Sequence, residues 1–134
     1  MTVVVWDTSA LVAILLDEGE GVAFSRLLAA PRRHLLSAVS WLELSIVMTT
    51  RLGAVGAMRI DALLRAGEMQ IVPFDAEQAQ AAHAAHTRYG RGRHPAGLNF
   101  GDCASYGLAM TQQAQLVFKG DDFAQTDVVG AVRS

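Results

Sequence analysis

Apolar residues occur along the chain in short continuous runs separated by longer segments of helical periodicity. Residues 2–6 are mostly apolar and β-branched up to Asp7, a pattern typical of a central strand covered on both faces. Thr8 or Ser9 can cap the helix that follows, which we expect to extend through Leu16. Shorter apolar runs predict three further strands, at residues 34–37, 70–72 and 115–118.

Helical periodicity fills most of the sequence between the predicted strands. A moderate helical pattern begins at Val22 and ends near Pro31, and Asp75 and Asn99 are good N-caps for two later helices. Further helices are predicted at residues 38–51, 54–66, 75–89 and 101–113. Strands that alternate with one or two helices favour a parallel α/β sheet with right-handed crossovers, in one domain spanning residues 1–134.

The apolar content of the chain predicts a large core or a covered partner surface. Of the 134 residues, 51% are hydrophobic and 18% are charged. The predicted helix at residues 38–51 is apolar nearly all round, so one small sheet cannot cover it. Its Trp41, Leu44 and Met48 therefore predict a homodimer contact.

Two features of the sequence favour a cytoplasmic protein. Cys103 is the single cysteine and cannot form an internal disulfide, which agrees with a reducing compartment. The N-terminal apolar run is interrupted by Asp7, and the apolar residues after it are too few to span a bilayer. We therefore expect neither a membrane span nor a secretory segment.

Acidic residues stand where an α/β sheet places its functional site. Asp7 directly follows the first predicted strand. Asp121 and Asp122 follow a later strand, and Asp102 lies at the start of a helix. The carboxyl ends of parallel strands meet at one edge of the sheet, where ligands bind. Each acid alone also fits a helix cap or a turn, but their common edge predicts that they lie together.

The local surroundings of two acids differ sharply. Asp102 begins a helix, whose N-terminus favours the ionised carboxylate and so predicts a ready metal ligand. Glu43 shares its helical face with apolar residues, namely Val39, Leu42, Ile46 and Val47. An ionised carboxylate there needs a metal ion, a nearby Arg or a path to solvent.

Clustered carboxylates predict a hard divalent cation, because like charges repel and a cation is their usual compensation. Mg²⁺ or Mn²⁺ prefers oxygen ligands and can assist hydrolysis of a phosphodiester. A zinc site is poorly supported, because Cys103 has no second cysteine. His83 and His86 fit packing or surface positions better than ligand positions.

Positive charge is local in this chain. The net charge is −2, so no global basic field can recruit nucleic acid. A basic cluster nevertheless occupies seven residues and contains Arg88, Arg91, Arg93 and His94. A solvated loop is its simplest interpretation.

Four fragments of the sequence together resemble the PIN-domain toxins of VapBC toxin–antitoxin pairs. They cover nearly the whole chain in the family's order: Asp7-Thr-Ser-Ala-Leu, Trp41-Leu-Glu43-Leu, Leu98-Asn-Phe-Gly-Asp102-Cys-Ala-Ser-Tyr and Phe118-Lys-Gly-Asp-Asp122-Phe. The resemblance implies a three-layer α/β sandwich with a mostly parallel sheet of about five strands. It also implies an Mg²⁺- or Mn²⁺-dependent endoribonuclease that forms homodimers and is inhibited by a VapB-like antitoxin.

The resemblance also assigns the site. The family pattern carries metal-site roles onto Asp7, Glu43 and Asp102. Many PIN domains place the fourth acid where this chain has Gly120, but the subgroup with Phe-Lys-Gly-x-Asp-Phe points to Asp122, with Asp121 as the alternative.

The family suggests tRNA or ribosomal RNA as substrate. The basic cluster Arg88, Arg91, Arg93 and His94 would then contact phosphates, since Arg offers a bidentate fork to phosphate oxygens. Contact with a second subunit or the antitoxin is its other use. Lys119 could contact a phosphate or pair with Asp121.

Two other functions fit parts of the pattern. A receiver-like signalling module also gathers acids and a Lys at strand ends, but it needs a phosphoacceptor Asp after a middle strand. The predicted middle strands end at Ser37 and before Pro73 instead. A catalytically silent PIN-fold partner of an antitoxin would keep the fold without the acids, whereas all the expected acids are present.

Overall fold

The computed structural model describes residues 2–131 and contains four strands and six α-helices within that range. The strands are β1 Val3–Trp6, β2 Arg33–Ser37, β3 Gln70–Val72 and β4 Gln115–Val117. The helices are α1 Thr8–Leu15, α2 Gly21–Leu28, α3 Ala38–Leu52, α4 Ala54–Ala66, α5 Ala76–Tyr89 and α6 Phe100–Thr111. A single 3₁₀ turn, Phe123–Gln125, follows β4.

The strands form one parallel sheet in the order β3-β2-β1-β4, which places β1 at the centre between β2 and β4. Val4 and Trp6 of β1 pack into the core formed with α1 to α4. Val5 points to the opposite face, where it packs with residues of α5 and α6. The predicted α/β fold with a buried, two-sided first strand is therefore confirmed.

The sheet has four strands within residues 2–131, rather than the expected five or so. The last apolar run of the sequence spans residues 128–132, and its described part reaches the sheet. There, however, Gly130 makes only an isolated parallel bridge to Leu116. One bridge, held by hydrogen bonds from Leu116 N–H to Val129 O and from Ala131 N–H to Leu116 O, does not extend into a strand. Residues 132–134, where that run ends, lie outside the described range.

Three helices show how well their N-caps could be predicted. Asp75 accepts a hydrogen bond from Gln78 N–H and caps α5, as predicted. Asn99 caps α6 in a reciprocal capping box with Asp102, so this prediction is also confirmed. The prediction for α1 is wrong, because Asp7 itself is the N-cap, instead of Thr8 or Ser9.

The packing of α3 against α4 removes two of the three residues on which the predicted homodimer contact was based. Leu44 and Met48 are fully buried within this chain and belong to its own core. Gly56 allows α4 to approach α3 closely, because an added Cβ there would lie 2.4 Å from the Met48 carbonyl oxygen. The exposed apolar side chains of these helices are instead Trp41, Leu42, Ile46, Val55 and Met58.

Within residues 2–131, no helix is long and apolar enough to cross a membrane.

Candidate active site

The candidate site lies at the carboxyl edge of the sheet, where β1 and β4 end side by side. Asp7 is the residue after β1, and its backbone N–H donates to Val117 O at the end of β4. Asp122 follows β4 in the turn that begins the 3₁₀ segment. Asp102 lies in the first turn of α6, and Glu43 lies in α3. Parallel pairing thus brings acids from distant parts of the sequence to one edge.

The Asp7 carboxylate is buried, with 3% of the residue exposed, and both of its oxygens are hydrogen-bonded. Ser105 Oγ donates to Asp7 Oδ1 at 2.6 Å. Ser9 donates to Oδ2 through its backbone N–H at 3.0 Å and its hydroxyl at 2.6 Å. These donors satisfy a buried carboxylate that would otherwise be costly, and they fix its orientation. Each oxygen retains further acceptor capacity for a cation.

No local sequence pattern predicts that serines donate hydrogen bonds to the Asp7 carboxylate. Ser105 is fully buried and also lies 3.1 Å, Oγ to Oγ, from Ser40 on α3. The signal for Ser105 was its spacing, because a residue three positions after Asp102 lies on a neighbouring part of the same helical face. Its partner Asp7 is 98 positions away, so no local pattern could have assigned the contact.

The pKa of the Asp102 carboxyl is raised from 3.8 to about 6. Burial of this half-exposed side chain is the largest cause, because it disfavours the charged form, and a hydrogen bond from Asn99 N–H opposes it. The negative charges of Asp7, Asp122 and Glu43 raise the pKa further. Asp102 therefore lies near enough to the three other predicted acids for their charges to act on it.

The pKa of Asp102 corrects one prediction from the sequence. The start of α6 was expected to favour the ionised carboxylate, but burial and three neighbouring negative charges outweigh that effect. The pKa of the neighbouring Cys103 thiol is raised to about 11, mainly by burial and further by the negative charge of Asp102. Cys103 is thus a buried, protonated side chain next to an acidic site.

Glu43 owes its position to a close contact with α6 rather than to an apolar pocket. Its neighbours Leu42 and Ile46 are exposed, so they form no apolar pocket around it. The Glu43 carboxylate lies against Gly101 instead. A Cβ added to Gly101 would be 2.6 Å from Glu43 Oε2 and 2.8 Å from Oε1. Glycine at this position leaves the room that the carboxylate occupies at the site.

Gly101→Ala is expected to lower the activity of the site with little change in stability. The clash falls on the end of the flexible Glu43 side chain, which can rotate away, so the fold survives while the carboxylate is displaced. We expect an activity loss of about 10-fold, in the range for disturbed support of a metal site. Steady-state cleavage assays and a thermal melt would measure the two effects. An inactive protein that also melts much earlier would contradict this explanation.

The structure distinguishes the two candidates for the fourth acid. Both Asp121 and Asp122 are exposed in the turn after β4. The charge of Asp122 raises the pKa of Asp102, whereas Asp121 is absent from the charges of described residues that do so. This effect on the pKa of Asp102 favours Asp122 over Asp121 as the fourth acid.

Two of the predicted phosphate-binding residues have partners within the chain. Lys119 Nζ lies 3.0 Å from Glu18 Oε1 and 3.4 Å from Glu20 Oε2, so its predicted pairing with Asp121 is wrong. Arg88 Nη1 lies 3.7 Å from Asp127 Oδ2, and its guanidinium stacks over the Tyr89 ring. Both ion pairs are partly exposed and cost little to break.

The remaining basic residues lie in the loop between α5 and α6. A bridge between Gly90 and Leu98 closes this loop just before Asn99, the N-cap of α6. His94 is held by a hydrogen bond from Ala96 N–H to its Nδ1 and by edge-on contact with Tyr89. Arg91 and Arg93 are exposed, with no carboxylate of residues 2–131 within ion-pair distance. The loop thus presents two guanidinium groups beside the start of the helix that carries Asp102.

The donor set at this edge fits a hard divalent cation. All four candidate ligands are carboxylates, and oxygen ligands of this kind suit Mg²⁺ or Mn²⁺. Besides burial, the negative charges of Asp7, Asp122 and Glu43 raise the pKa of Asp102, and a cation would relieve this repulsion. Within residues 2–131, however, no three acidic, His or Cys side chains stand as a ready-made metal cluster. The ligand types therefore suit such a cation.

Comparisons with known proteins identify the family to which this α/β chain belongs. A family model of the PIN domain matches residues 4–129. Ribonuclease VapC30 of Mycobacterium tuberculosis is 46% identical over 122 residues, which cover 91% of this chain and 93% of that protein.

Two solved structures share the fold at low sequence identity. VapC20 of Mycobacterium tuberculosis, described as a sarcin-ricin loop cleaving toxin, matches with a TM-score of 0.76 at 19% identity, over 98% of this chain and 99% of that one. VapBC2 from Rickettsia felis, solved bound to a DNA fragment from its promoter, matches with a TM-score of 0.75 at 17% identity over 96% of each chain.

The chain belongs to the PIN-domain family and, within it, to the VapC ribonucleases. The resemblance seen in the sequence is thereby confirmed, and so is the PIN-like sandwich fold. A receiver-like signalling module is ruled out, because the PIN model accounts for nearly the whole described chain.

Proposed function

We propose that this protein is a divalent-metal-dependent endoribonuclease that hydrolyses RNA phosphodiester bonds and acts as the toxin of a VapBC pair. The observation that carries the proposal is the hydrogen bond that joins Asp7, at the carboxyl edge of the sheet, to Ser105 on the helix that carries Asp102. Four carboxylates gathered at one edge need a cation, and phosphodiester hydrolysis is a reaction that such cations assist. The naming of 46%-identical relatives as ribonucleases supports the same activity.

In this proposal the four acids divide their work. Asp7 and Asp102 hold Mg²⁺ or Mn²⁺, and Glu43 and Asp122 support them. When bound, the cation supplies Lewis-acid activation of water and offsets negative charge that develops on the phosphodiester. The protein orients the ligands in advance, because hydrogen bonds from Ser9 and Ser105 fix Asp7.

The capping box and the contact between α3 and α6 orient two of the other three acids, Asp102 and Glu43. Asn99 N–H donates to Asp102 Oδ2 at 3.0 Å, which fixes the direction of that carboxylate. Gly101 leaves room for the Glu43 carboxylate beside it. The exposed Arg91 and Arg93 are placed to contact phosphates of the RNA, with Arg88, His94 and Lys119 able to join once their internal contacts open.

RNA cleavage that requires a divalent cation is the direct test. Purified protein free of any antitoxin should cut total RNA at defined positions in Mg²⁺ or Mn²⁺, and a chelator should stop the cleavage. Asp121→Asn is the matched control for Asp122→Asn, and only the latter should impair cleavage strongly. A catalytically silent PIN-fold partner would leave the RNA intact under every condition, which would overturn the proposal.

The proposed toxin role includes a VapB-like antitoxin and a homodimer in the cytoplasm, with residues 1–134 as one domain. Several solved structures of the same fold are VapBC or toxin–antitoxin complexes. The exposed apolar side chains on α3 and α4 provide a surface for one of these contacts, including Leu42, Ile46 and Met58. Light scattering of the purified protein measures whether the chain pairs with itself.

A further inference from the structure

An apolar groove of about 370 Å³ lies between α5 and α6, close to the candidate active site. We call it the α5–α6 groove. Its small-residue floor includes Ala82 and Ala104, and its aromatic side chains are Phe74 and Phe100. The volume is at the small end of the range of about 300–1,000 Å³ found for ligand sites. It suits one flat aromatic group rather than a folded partner.

Phe100 joins this groove to the catalytic edge. It is 79% exposed, more than any other large apolar side chain of residues 2–131. It is the first residue of α6, two positions before Asp102, and it precedes the Gly101 that contacts Glu43. Exposure of a phenyl ring costs free energy in water, so a ring this exposed on the helix that carries Asp102 calls for an explanation.

Within the described range, the lining of the groove carries no negative charge that would repel a polyanion on this side of the site. Two imidazoles, His83 and His86, line the groove, and no acidic side chain of residues 2–131 lines it. The His86 ring lies against Gly90, where the loop with Arg91 and Arg93 begins. A polyanion that is repelled by the four carboxylates can therefore approach along the groove and the basic loop.

We propose that the α5–α6 groove binds an unpaired nucleobase of the RNA substrate next to the cleaved phosphodiester, with Phe100 as its stacking surface. Unstacked RNA bases bind to aromatic and His side chains, and this groove offers both kinds. The side chains that line the groove would determine which nucleotide lies beside the cleaved bond. This inference rests on the proposed ribonuclease function.

Two substitutions of Phe100 test the groove against a control elsewhere. Phe100→Ala removes the ring, Phe100→Trp keeps a stacking surface, and Val22→Ala removes an exposed apolar side chain on α2. Phe100→Ala should lower kcat/KM by about 10-fold, mainly through KM, as expected for loss of one stacked base. It should also flatten the nucleotide preference next to the cut. Phe100→Trp and Val22→Ala should remain close to wild type.

A binding assay separates this inference from the nuclease activity itself. Short oligoribonucleotides with 2-aminopurine at one position, added without metal, should be quenched by the wild type and bound about 10-fold more weakly by Phe100→Ala. Wild type that fails to cut RNA while this difference holds would refute the nuclease but keep the groove. Equal binding, or unchanged kcat/KM and nucleotide preference in Phe100→Ala, would overturn the groove. Dissociation of an oligomer by Phe100→Ala in light scattering would also overturn it and assign Phe100 to contact with a second copy.

Discussion

Asp102→Asn is expected to abolish RNA cleavage, with a loss of about 100-fold or more. Substitution of residues that merely orient metal ligands costs roughly 10–100-fold, so loss of a ligand should cost at least that much. The amide oxygen of asparagine can still accept the hydrogen bond from Asn99 N–H, so α6 keeps its cap. Rates measured at saturating Mn²⁺ would separate a lost ligand from weakened metal affinity.

The companion control for Asp102→Asn is an acid from the turn after β4 that does not share the role of Asp102. Asp121→Asn also removes one negative charge near the site, yet Asp121 does not raise the pKa of Asp102. It should retain most of the wild-type rate. Cleavage by Asp102→Asn at more than a tenth of the wild-type rate would remove Asp102 from the proposed site.

The metal-free protein is expected to become less stable as the pH rises from about 4 to 7. The folded-state pKa of Asp102 is about 6, whereas its usual value is 3.8, so the folded state holds the extra proton between these values. The free energy of unfolding therefore decreases through this range, and the full penalty is present at pH 7. With an allowance for solvent screening of this half-exposed group, the penalty is about 1–2 kcal/mol. The melting temperature should fall by about 3–8 °C.

Differential scanning calorimetry of wild type and Asp102→Asn, with and without Mn²⁺, would measure this effect. Asparagine cannot ionise, so the variant should lack this part of the pH dependence and melt higher than wild type at pH 7 without metal. Mn²⁺ should raise the melting temperature of wild type at pH 7, since binding to the folded state alone stabilises it. The variant should respond far less. Identical pH profiles for the two proteins would refute the assigned cause.

The two expected results describe one trade-off at the same carboxylate. Asp102 destabilises the metal-free fold because it is partly buried and lies near three other acids. Those same features supply the negative charge that a divalent cation needs. A site that is costly without its cation and active with it explains why the acids are held together rather than separated.

The sequence by itself determined the elements and the edge of the site. The apolar run ending at Asp7 predicted a central buried strand, and the caps Asp75 and Asn99 marked the starts of α5 and α6. These features depend on neighbours within a few residues, because strand burial and helix capping are local patterns. The rule that parallel strands end at one edge then placed Asp7 and Asp122 together.

Only the tertiary structure decided the contacts that tune the site. These contacts all join distant segments of the chain. They are the hydrogen bond from Ser105 to Asp7, the close contact of Glu43 with Gly101 and the ion pairs of Lys119. The pKa of Asp102 depends on burial and on charges from three other parts of the chain. Local patterns predict which carboxylates reach the edge, but their protonation and orientation follow from what long-range packing places around them.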